Sequence, residues 1–288
     1  MKFSKLQGSG NDFILIDNRD DKVELLLQKL RMSIQELVVN LCRPHTGVGA
    51  DGLILIEHPQ DPKNHFRWRF FNADGSVAEM CGNGSRCAVR FAYEMGIAGE
   101  QVSFETLAGV IRAQVLEGGS RVKVQLTKPK DYREVSLEVE GELIQASFLN
   151  TGVPHLVVIV QDVQAVDVAG LGRALRFHRA FQPWGTNVNF VQAVSSRSVK
   201  VRTYERGVEA ETLACGTGAT ASALVAYGKG LVREKPVEVL TAGGELLRID
   251  FDEKMEEVFL EGGVCKVFEG ILTEEALLCM RELNHGQG

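Results

Sequence analysis

The chain has 288 residues, of which 44% are hydrophobic and 24% charged, so it is long enough for two soluble domains of ordinary size. Its formal net charge of −6 argues against the broad basic surface that binds nucleic acid or an anionic membrane. Small charged metabolites stay open as ligands, because a pocket can be locally basic in an acidic protein.

The N-terminal segment MKFSKLQGSGNDFILIDN leads directly into a predicted strand. It lacks the apolar core and the cleavage site of a signal peptide. No run of the sequence approaches the roughly 18 apolar residues of a membrane span. We therefore expect a cytoplasmic protein, whose thiols stay reduced, and so its six cysteines predict no disulfide framework.

Short runs of alternating apolar residues, bounded by Gly, Asp and Pro, predict strands along the whole chain. In the first half these runs lie at 12–17, 52–57, 66–71, 109–115 and 121–126. In the second half they lie at 154–160, 188–194, 199–204, 237–240, 246–251 and 257–262. Helices are fewer: Ser33 and Glu36 have capping-box spacing at the start of one, and 273–283 has helical periodicity. The pattern predicts an α+β protein rich in sheet.

The order of the motifs repeats in the two halves of the chain. MCGNGSRC in the first half corresponds to ACGTGATA in the second, and the flanking strands follow in the same order. Cys81 is followed 28 positions later by Gly109, and Cys215 by Gly243 at the same spacing. We interpret this as an internal duplication. The predicted domains are residues 1–128, completed by 270–288, and residues 129–269.

Each repeated motif sets a cysteine directly before a predicted helix made mostly of small and apolar residues. Such a helix is buried on nearly every face, so each domain should enclose one, with Gly96 and Gly228 or Gly230 as C-terminal stops. A cysteine at the positive end of a helix has a stabilised thiolate, which predicts a lowered pKa for Cys81 and Cys215.

The remaining cysteines do not suggest a metal centre. No pair has C-x-x-C spacing, and Cys42 with His45 has no second pair nearby. We expect buried, inert cysteines at positions 42, 87, 265 and 279.

The Gly-x-Gly that follows Cys81 and Cys215 lacks the strand and the third glycine of a dinucleotide loop. Bare backbone N–H groups at a helix start instead suit a substrate carboxylate. If the two domains face each other, one thiol can remove a proton from one face of a carbon while the other returns a proton to the opposite face. Two cysteines in matched places therefore predict inversion of a stereocentre.

The sequence resembles the diaminopimelate epimerase family over essentially its whole length. The resemblance rests on GSGNDF, GVGADG, NADGSVAEMCGNGSRC, TGVPH, NVNF, ERG and ETLACGTGATA, in the family's order. It implies two pseudo-symmetric, barrel-like domains, each around a central helix, with the active site in the cleft between them. The activity implied is cofactor-independent epimerisation of LL-2,6-diaminopimelate to the meso form in lysine biosynthesis.

The resemblance also implies roles for individual residues. It makes Cys81 and Cys215 the acid–base pair, and it makes His155 and Glu205 neighbours that adjust the protonation of the thiols. The residues implied to bind substrate are Asn11, Asn72, Gly82, Asn83, Asn187, Glu205, Arg206, Gly216 and Thr217. The planar guanidinium of Arg206 suits a bidentate grip on the carboxylate at the far end of the substrate. The partner implied is a small-molecule amino-acid substrate, and no metal or cofactor is implied.

The sequence departs from the family pattern at three places, and each departure should change a contact with the substrate. Val153 stands where many members have an amide, and Gly52 stands where some have Gln. The loop between Arg206 and Cys215 is one residue longer than the common form. We expect altered substrate contacts and an unchanged reaction.

Several alternatives stay open at this point. A racemase or epimerase for proline or hydroxyproline is the nearest, although the Asn and Glu-Arg set favours a substrate with a second polar end. An isomerase that uses a carboxylate, a non-catalytic amino-acid-binding protein and a pyridoxal enzyme explain the paired thiols less well. The oligomeric state is open, with a homodimer as one alternative.

Overall fold

The computed structural model describes residues 1–285. Its helices are α1 (Lys22–Leu30), α2 (Ile34–Cys42), α3 (Gly82–Glu94), α4 (Val168–Arg176), α5 (Gly216–Gly228) and α6 (Glu274–His285). Its strands are β1 (Lys2–Gly8), β2 (Asn11–Asp17), β3 (Gly52–Glu57), β4 (Phe66–Asn72), β5 (Gln101–Thr106), β6 (Gly109–Leu116), β7 (Arg121–Gln125), β8 (Lys130–Val139), β9 (Glu142–Asn150), β10 (Pro154–Ile159), β11 (Asn187–Ala193), β12 (Ser198–Glu205), β13 (Ala210–Thr212), β14 (Val237–Leu240), β15 (Leu246–Phe251), β16 (Val258–Gly263) and β17 (Cys265–Ile271).

Internal contacts divide the chain into two compact units. The first comprises residues 1–124 and the segment from 263 onward, and the second comprises residues 125–262. The division falls earlier than the predicted boundaries after 128 and after 269. At the second crossing the reason is that β17 pairs antiparallel with β1, which ties residues 265–271 to the first unit.

The first unit contains one mixed sheet in the order β17-β1-β2-β3-β4-β5-β6-β7. Neighbouring strands are antiparallel except at β2/β3 and β4/β5, which are parallel. Parallel neighbours need a long connection. The β2–β3 connection carries α1 and α2, and the β4–β5 connection carries α3.

The second unit repeats this plan in the order β8-β9-β10-β11-β12-β14-β15-β16. Its parallel neighbours are β10/β11 and β12/β14, and these connections carry α4 and α5 respectively. The short strand β13 pairs with the end of β12. Strand directions therefore match, pair by pair, between the two units, and the predicted internal duplication is confirmed.

Each unit holds one central helix, as predicted. α3 contacts β1, β2, β3 and β6, while α5 contacts β9, β10, β11, β12, β14 and β15. Both helices have 13 residues and begin directly after the cysteine of the repeated motif. Every residue of α5 from 218 to 226 is buried, which only small and apolar side chains allow this close to surrounding strands.

The ends of the central helices are also equivalent. Gly96 and Gly230 follow α3 and α5 with φ of 68° and 69°. This left-handed conformation closes a helix C-terminus and is easiest for glycine. The predicted stop at Gly96 is confirmed, and the structure selects Gly230 over Gly228.

The outer helices cover a second face of each sheet. α2 begins with the predicted capping box, in which Glu36 N–H donates to Ser33 Oγ at 3.2 Å and Ser33 N–H donates to Glu36 Oε2 at 2.7 Å. One apolar cluster joins α2 to β2, β3 and α6, and another joins α4 to β10, β11 and β12. Within residues 1–285, no helix is both long and apolar enough to cross a membrane.

The four cysteines outside the repeated motifs fall into two pairs. Cys42 and Cys87 are buried, and burial raises the pKa of each thiol to about 12. Cys265 and Cys279 are exposed. The expectation of buried cysteines is therefore wrong at these two positions, because β17 is an edge strand and Cys279 lies on the outer face of α6.

Candidate active site

Cys81 is the N-cap of α3, with extended backbone angles of −147° and 122°. Its Sγ accepts a hydrogen bond from Gly84 N–H at 3.5 Å. The first N–H groups of a helix have no acceptor within the helix, so they can face a ligand or the capping side chain. Gly82 and Asn83, predicted to bind substrate, supply the first two of these groups.

Burial raises the pKa of the Cys81 thiol above its ordinary value. The backbone N–H groups of Gly84 and Asn83 and the charge of the buried Arg86 oppose this shift without cancelling it. The predicted lowering of the pKa is therefore wrong for Cys81. The stabilising helix start is present, but desolvation of the thiolate is the larger effect.

Asn11 and Asn83 lie together beside the start of α3. Asn83 Nδ2 donates to Asn11 Oδ1 at 2.6 Å, and Asn11 Nδ2 donates to Asp51 Oδ2 at 3.0 Å. Asp51 in turn accepts from Asp12 N–H at 3.1 Å and donates its own N–H to Asp12 Oδ1 at 2.9 Å. Asp51 thus sets which way the Asn11 amide points, because a carboxylate can only accept.

Asn72 is the last residue of β4 and is exposed. Its Nδ2 donates to Ser76 Oγ at 3.0 Å, across the turn that leads toward Cys81. Asn72 pairs with Gly52 on β3. A Cβ at position 52 would lie 2.5 Å from the Phe71 carbonyl oxygen, so this chain has no room there for the Gln of some family members.

Cys215 is the N-cap of α5 and repeats the geometry of Cys81, with backbone angles of −125° and 109°. Its Sγ lies 3.6 Å from Thr217 Oγ1. Burial, and then the negative charge of Glu205, raise the pKa of this thiol to about 11. The predicted lowering of the pKa is wrong here too, although Thr217 and the backbone N–H groups of Gly218 and Thr217 act in the predicted direction.

His155 lies beneath the start of α5 and is fully buried. Its Nε2 is 2.9 Å from Thr217 Oγ1, and its Nδ1 is 3.1 Å from Asn189 Nδ2. Burial, with a smaller contribution from the positive charge of Arg206, lowers the pKa of His155 to about 3. His155 is therefore neutral at physiological pH, and within the second unit it is linked to Cys215 through Thr217.

Glu205 is the last residue of β12, the position that Asn72 occupies on the equivalent strand β4. Burial raises the pKa of its carboxyl, and a 2.8 Å hydrogen bond from Thr212 Oγ1 opposes the shift. Glu205 is close enough to Cys215 for its charge to disfavour the thiolate. The direction of this effect agrees with the role predicted for Glu205, and the role itself stays a prediction.

Asn187 binds protein groups with both ends of its amide. Its Nδ2 donates to the Pro154 carbonyl at 2.9 Å, and its Oδ1 accepts from Arg206 N–H at 2.8 Å. The residue is buried and holds the backbone of Arg206 against Pro154, the first residue of β10. The partly exposed Arg206 side chain extends from this anchored position.

The two other departures from the family pattern have visible structures. Val153 is half-buried in the turn before β10, and its carbonyl accepts from Thr151 N–H at 3.2 Å. Thr151 Oγ1 donates to the Thr217 carbonyl at 2.9 Å, so a polar contact to the helix start is made two residues before Val153. The longer 206–215 loop forms β13, which pairs with the end of β12.

Sequence reasoning missed three residues that contact or act on the predicted site residues. Asp51 orients Asn11, Arg86 carries a buried charge that favours the Cys81 thiolate, and Asn189 contacts His155. One signal was available for Asn189: in NVNF it lies two positions from Asn187, on the same face of a strand. Among the described residues, no three His, Cys, Asp or Glu side chains are grouped to hold a metal ion.

Solved structures share this two-unit architecture. The chain matches a probable proline racemase from Agrobacterium radiobacter K84 with a TM-score of 0.65 and 14% identity, over 95% of this chain and 93% of that one. It matches a hydroxyproline epimerase from Agrobacterium vitis with a TM-score of 0.63 and 16% identity, over 98% of both chains. A Bacillus anthracis protein of the PhzF family gives a TM-score of 0.64 and 16% identity, over 95% and 99%. These likenesses define the class of fold, that of the two-domain racemases, epimerases and PhzF proteins.

Sequence relatives narrow the class. The diaminopimelate epimerase family model matches residues 3–131 and 147–267, and the chain belongs to that family. It is 65% identical to the diaminopimelate epimerase of Aquifex aeolicus over 96% of this chain and 99% of that protein. It is 52% identical to the enzyme of Hydrogenobaculum sp., over the same shares of each chain.

Proposed function

We propose that the chain epimerises LL-2,6-diaminopimelate to meso-diaminopimelate without a cofactor, and that Cys81 and Cys215 are its two bases. The observation that carries the proposal is the duplicated fold, in which each unit places one cysteine at the N-cap of its central helix. Family membership supports the reaction and the substrate. The likeness to proline and hydroxyproline enzymes is one of fold, at 14–16% identity, and does not favour those substrates.

In the proposed reaction, one cysteine is a thiolate and the other a thiol when substrate binds. The thiolate takes the α-proton from one face, and the thiol gives its proton to the opposite face. Each turnover therefore leaves the first cysteine as a thiol and the second as a thiolate. The raised pKa of each thiol suits this step, because a thiolate of higher pKa is a stronger base toward a weakly acidic C–H group.

The helix starts supply the second part of the proposal. Backbone N–H groups at Gly82–Asn83 and Gly216–Thr217 would bind the carboxylate next to the reacting carbon and stabilise charge that develops on it. Asn11, Asn72 and Asn187 would position the amino acid, and Arg206 would hold its far carboxylate. Glu205 and His155 would adjust the protonation of the two thiols.

Because the mechanism needs reduced thiols, we also propose a cytoplasmic location, with no nucleic acid or membrane partner. Activity should then be lost on mild oxidation and return with dithiothreitol. Whether the enzyme acts as a monomer or a homodimer is answered by light scattering at the concentration used for assay.

The test is solvent-deuterium exchange on LL-diaminopimelate with purified protein, chelator and no pyridoxal phosphate. We expect deuterium at the α-carbon of the product in the wild type, and no such exchange with proline or hydroxyproline. Cys81→Ser and Cys215→Ser should each lower epimerisation by roughly a thousandfold or more, because a hydroxyl is a far poorer base than a thiolate. Cys265→Ser, an exposed cysteine, is the matched control.

A finer readout separates the two bases. With an analogue bearing a leaving group on the neighbouring carbon, a surviving thiolate can still remove a proton and cause elimination. Cys81→Ser and Cys215→Ser should then prefer opposite stereoisomers. A shared preference, or near-normal epimerisation in either variant, would rule out the two-base assignment.

A further inference from the structure

A chain of hydrogen bonds leads from Cys215 through the partly buried Thr217 to buried residues of the second unit. Cys215 Sγ lies 3.6 Å from Thr217 Oγ1, which lies 2.9 Å from His155 Nε2. His155 Nδ1 lies 3.1 Å from Asn189 Nδ2, and Thr203 Oγ1 donates to Asn189 Oδ1 at 3.0 Å. Each hydroxyl and each ring nitrogen in this chain could donate or accept. Which atom donates in each hydrogen bond therefore depends on the one residue whose orientation is fixed by another contact.

Asn189 is the residue whose orientation is fixed. Its Nδ2 also lies 3.1 Å from the Leu156 carbonyl oxygen, which can only accept. The opposite amide orientation would set two acceptor oxygens against each other in a site where Asn189 is fully buried. Nδ2 therefore faces both Leu156 and His155, and His155 Nδ1 must be an acceptor.

The tautomer of His155 follows from this. A neutral ring that accepts at Nδ1 carries its hydrogen on Nε2, and the burial of His155 and the charge of Arg206 keep the ring neutral. Nε2–H then donates to Thr217 Oγ1. Because the threonine hydroxyl has only one hydrogen, that hydrogen is left to face Cys215 Sγ, against the opposing charge of Glu205.

We propose that Asn189 is a positioning residue: it sets the Nε2–H tautomer of His155, and thereby makes the Thr217 hydroxyl a donor to the Cys215 thiolate. The inference deepens the proposed function, since it gives the second base its own stabilising device. Backbone N–H groups at the helix start act on both thiols, but at Cys81 the additional group is the buried charge of Arg86 and not a hydroxyl. The two thiols, equivalent by duplication, therefore differ in the side chain that stabilises each thiolate.

The first test is spectroscopic and uses the wild-type protein. Two-dimensional ¹H–¹⁵N NMR of histidine ring nitrogens distinguishes the Nε2–H tautomer, the Nδ1–H tautomer and the charged ring. The His155 signals are identified by their loss in His155→Gln. We expect a neutral Nε2–H ring at pH 7, and Asn189→Asp should move the proton to Nδ1 because a carboxylate accepts there. A wild-type Nδ1–H or charged ring overturns the inference.

The second test measures the Cys215 thiolate. The protein is treated with iodoacetamide at pH 8, and alkylation of each cysteine is followed by peptide mass spectrometry, with Cys81 as the internal reference. Thr217→Val should slow alkylation of Cys215 about threefold to tenfold, the effect of a pKa raised by up to about one unit. Thr217→Ser, which restores the hydroxyl, should restore the rate.

Thr220→Val is the matched control, because its hydroxyl donates to the Gly216 carbonyl of the same helix and not to the thiol. An unchanged rate in Thr217→Val, or an equal fall in Thr220→Val, contradicts the inference. Neither test needs turnover of diaminopimelate. A protein that shows the expected tautomer and reactivity but exchanges no deuterium would refute the proposed function alone.

Discussion

The duplicated glycines Gly84 and Gly218 lie three residues after their cysteines, and alanine should have opposite effects at the two positions. At Gly84, an added Cβ meets the Ile54 and Phe13 side chains and the Cys81 Cβ at 3.4–3.6 Å, which is ordinary packing distance. At Gly218, it meets Asn189 Oδ1 at 2.3 Å. Asn189 is fully buried and held by hydrogen bonds on both ends of its amide.

The magnitudes follow from these distances. Gly84→Ala gains helix propensity at no steric cost, so the free energy of unfolding should rise by a few tenths to about 1 kcal/mol. Gly218→Ala gains the same propensity, but the Asn189 oxygen must move by about 1 Å, and such overpacking costs about 1–3 kcal/mol. We expect Gly84→Ala to be the more stable variant by about 1–3 kcal/mol.

Differential scanning calorimetry of the two variants beside the wild type is the assay. For units of this size, 1 kcal/mol corresponds to about 2–4 °C in Tm. Gly218→Ala should also slow alkylation of Cys215, because a displaced Asn189 no longer sets the His155 tautomer. Equal Tm values, or a lower Tm for Gly84→Ala, would refute the reasoning from Cβ contacts.

Three further outcomes are expected. Glu57→Gln should lower the free energy of unfolding, measured by urea titration, by about 1–3 kcal/mol, because the buried Glu57 carboxylate pairs with Arg67 at 2.5 Å and Arg69 at 2.6 Å. Glu256→Gln, which removes an exposed ion pair with Lys128, should lower it by less than about 1 kcal/mol. His155 takes up a proton near pH 6.5 when unfolded but only near pH 3 when folded, so stability should fall as the pH drops through that range. In His155→Gln this fall should be shallower by up to about 1.4 kcal/mol per pH unit, and identical slopes would contradict the burial of a neutral ring. Asp51→Ala, which frees the Asn11 amide, should raise KM for diaminopimelate about tenfold with little change in Tm, and an unchanged KM would remove Asn11 from the binding site.

Local sequence patterns predicted most of the inner strands and the two central helices, but not the inner strands β5 and β9. The runs at 52–57 and 246–251 are strands with those same bounds in the structure, because alternation of apolar residues is a property of neighbouring positions. The two Cys-Gly-x-Gly motifs likewise predicted the N-caps of α3 and α5. The order of these motifs identified the duplication and the family.

Edge elements were not predicted from the same signals. β8 is mostly exposed and rich in charge. In β17 the apolar residues Val267, Phe268 and Ile271 are exposed. Neither strand therefore has the alternation of buried apolar and exposed polar residues that marks an inner strand. β17 exists as a strand because it pairs with β1, at the other end of the chain. Pairing over that separation has no local signature, and for the same reason the second boundary lies before residue 263 and not after residue 269.

The protonation of the site was decided only by tertiary structure. The sequence correctly placed each thiol at a positive helix end, yet both thiol pKa values are raised, because burial by the surrounding sheet outweighs the helix start. Asp51, Arg86 and Asn189 act on the site residues from positions distant in sequence. Sequence thus determined which groups carry the chemistry, while burial and long-range hydrogen bonds, which depend on neighbours supplied by other strands, decided their charge and orientation.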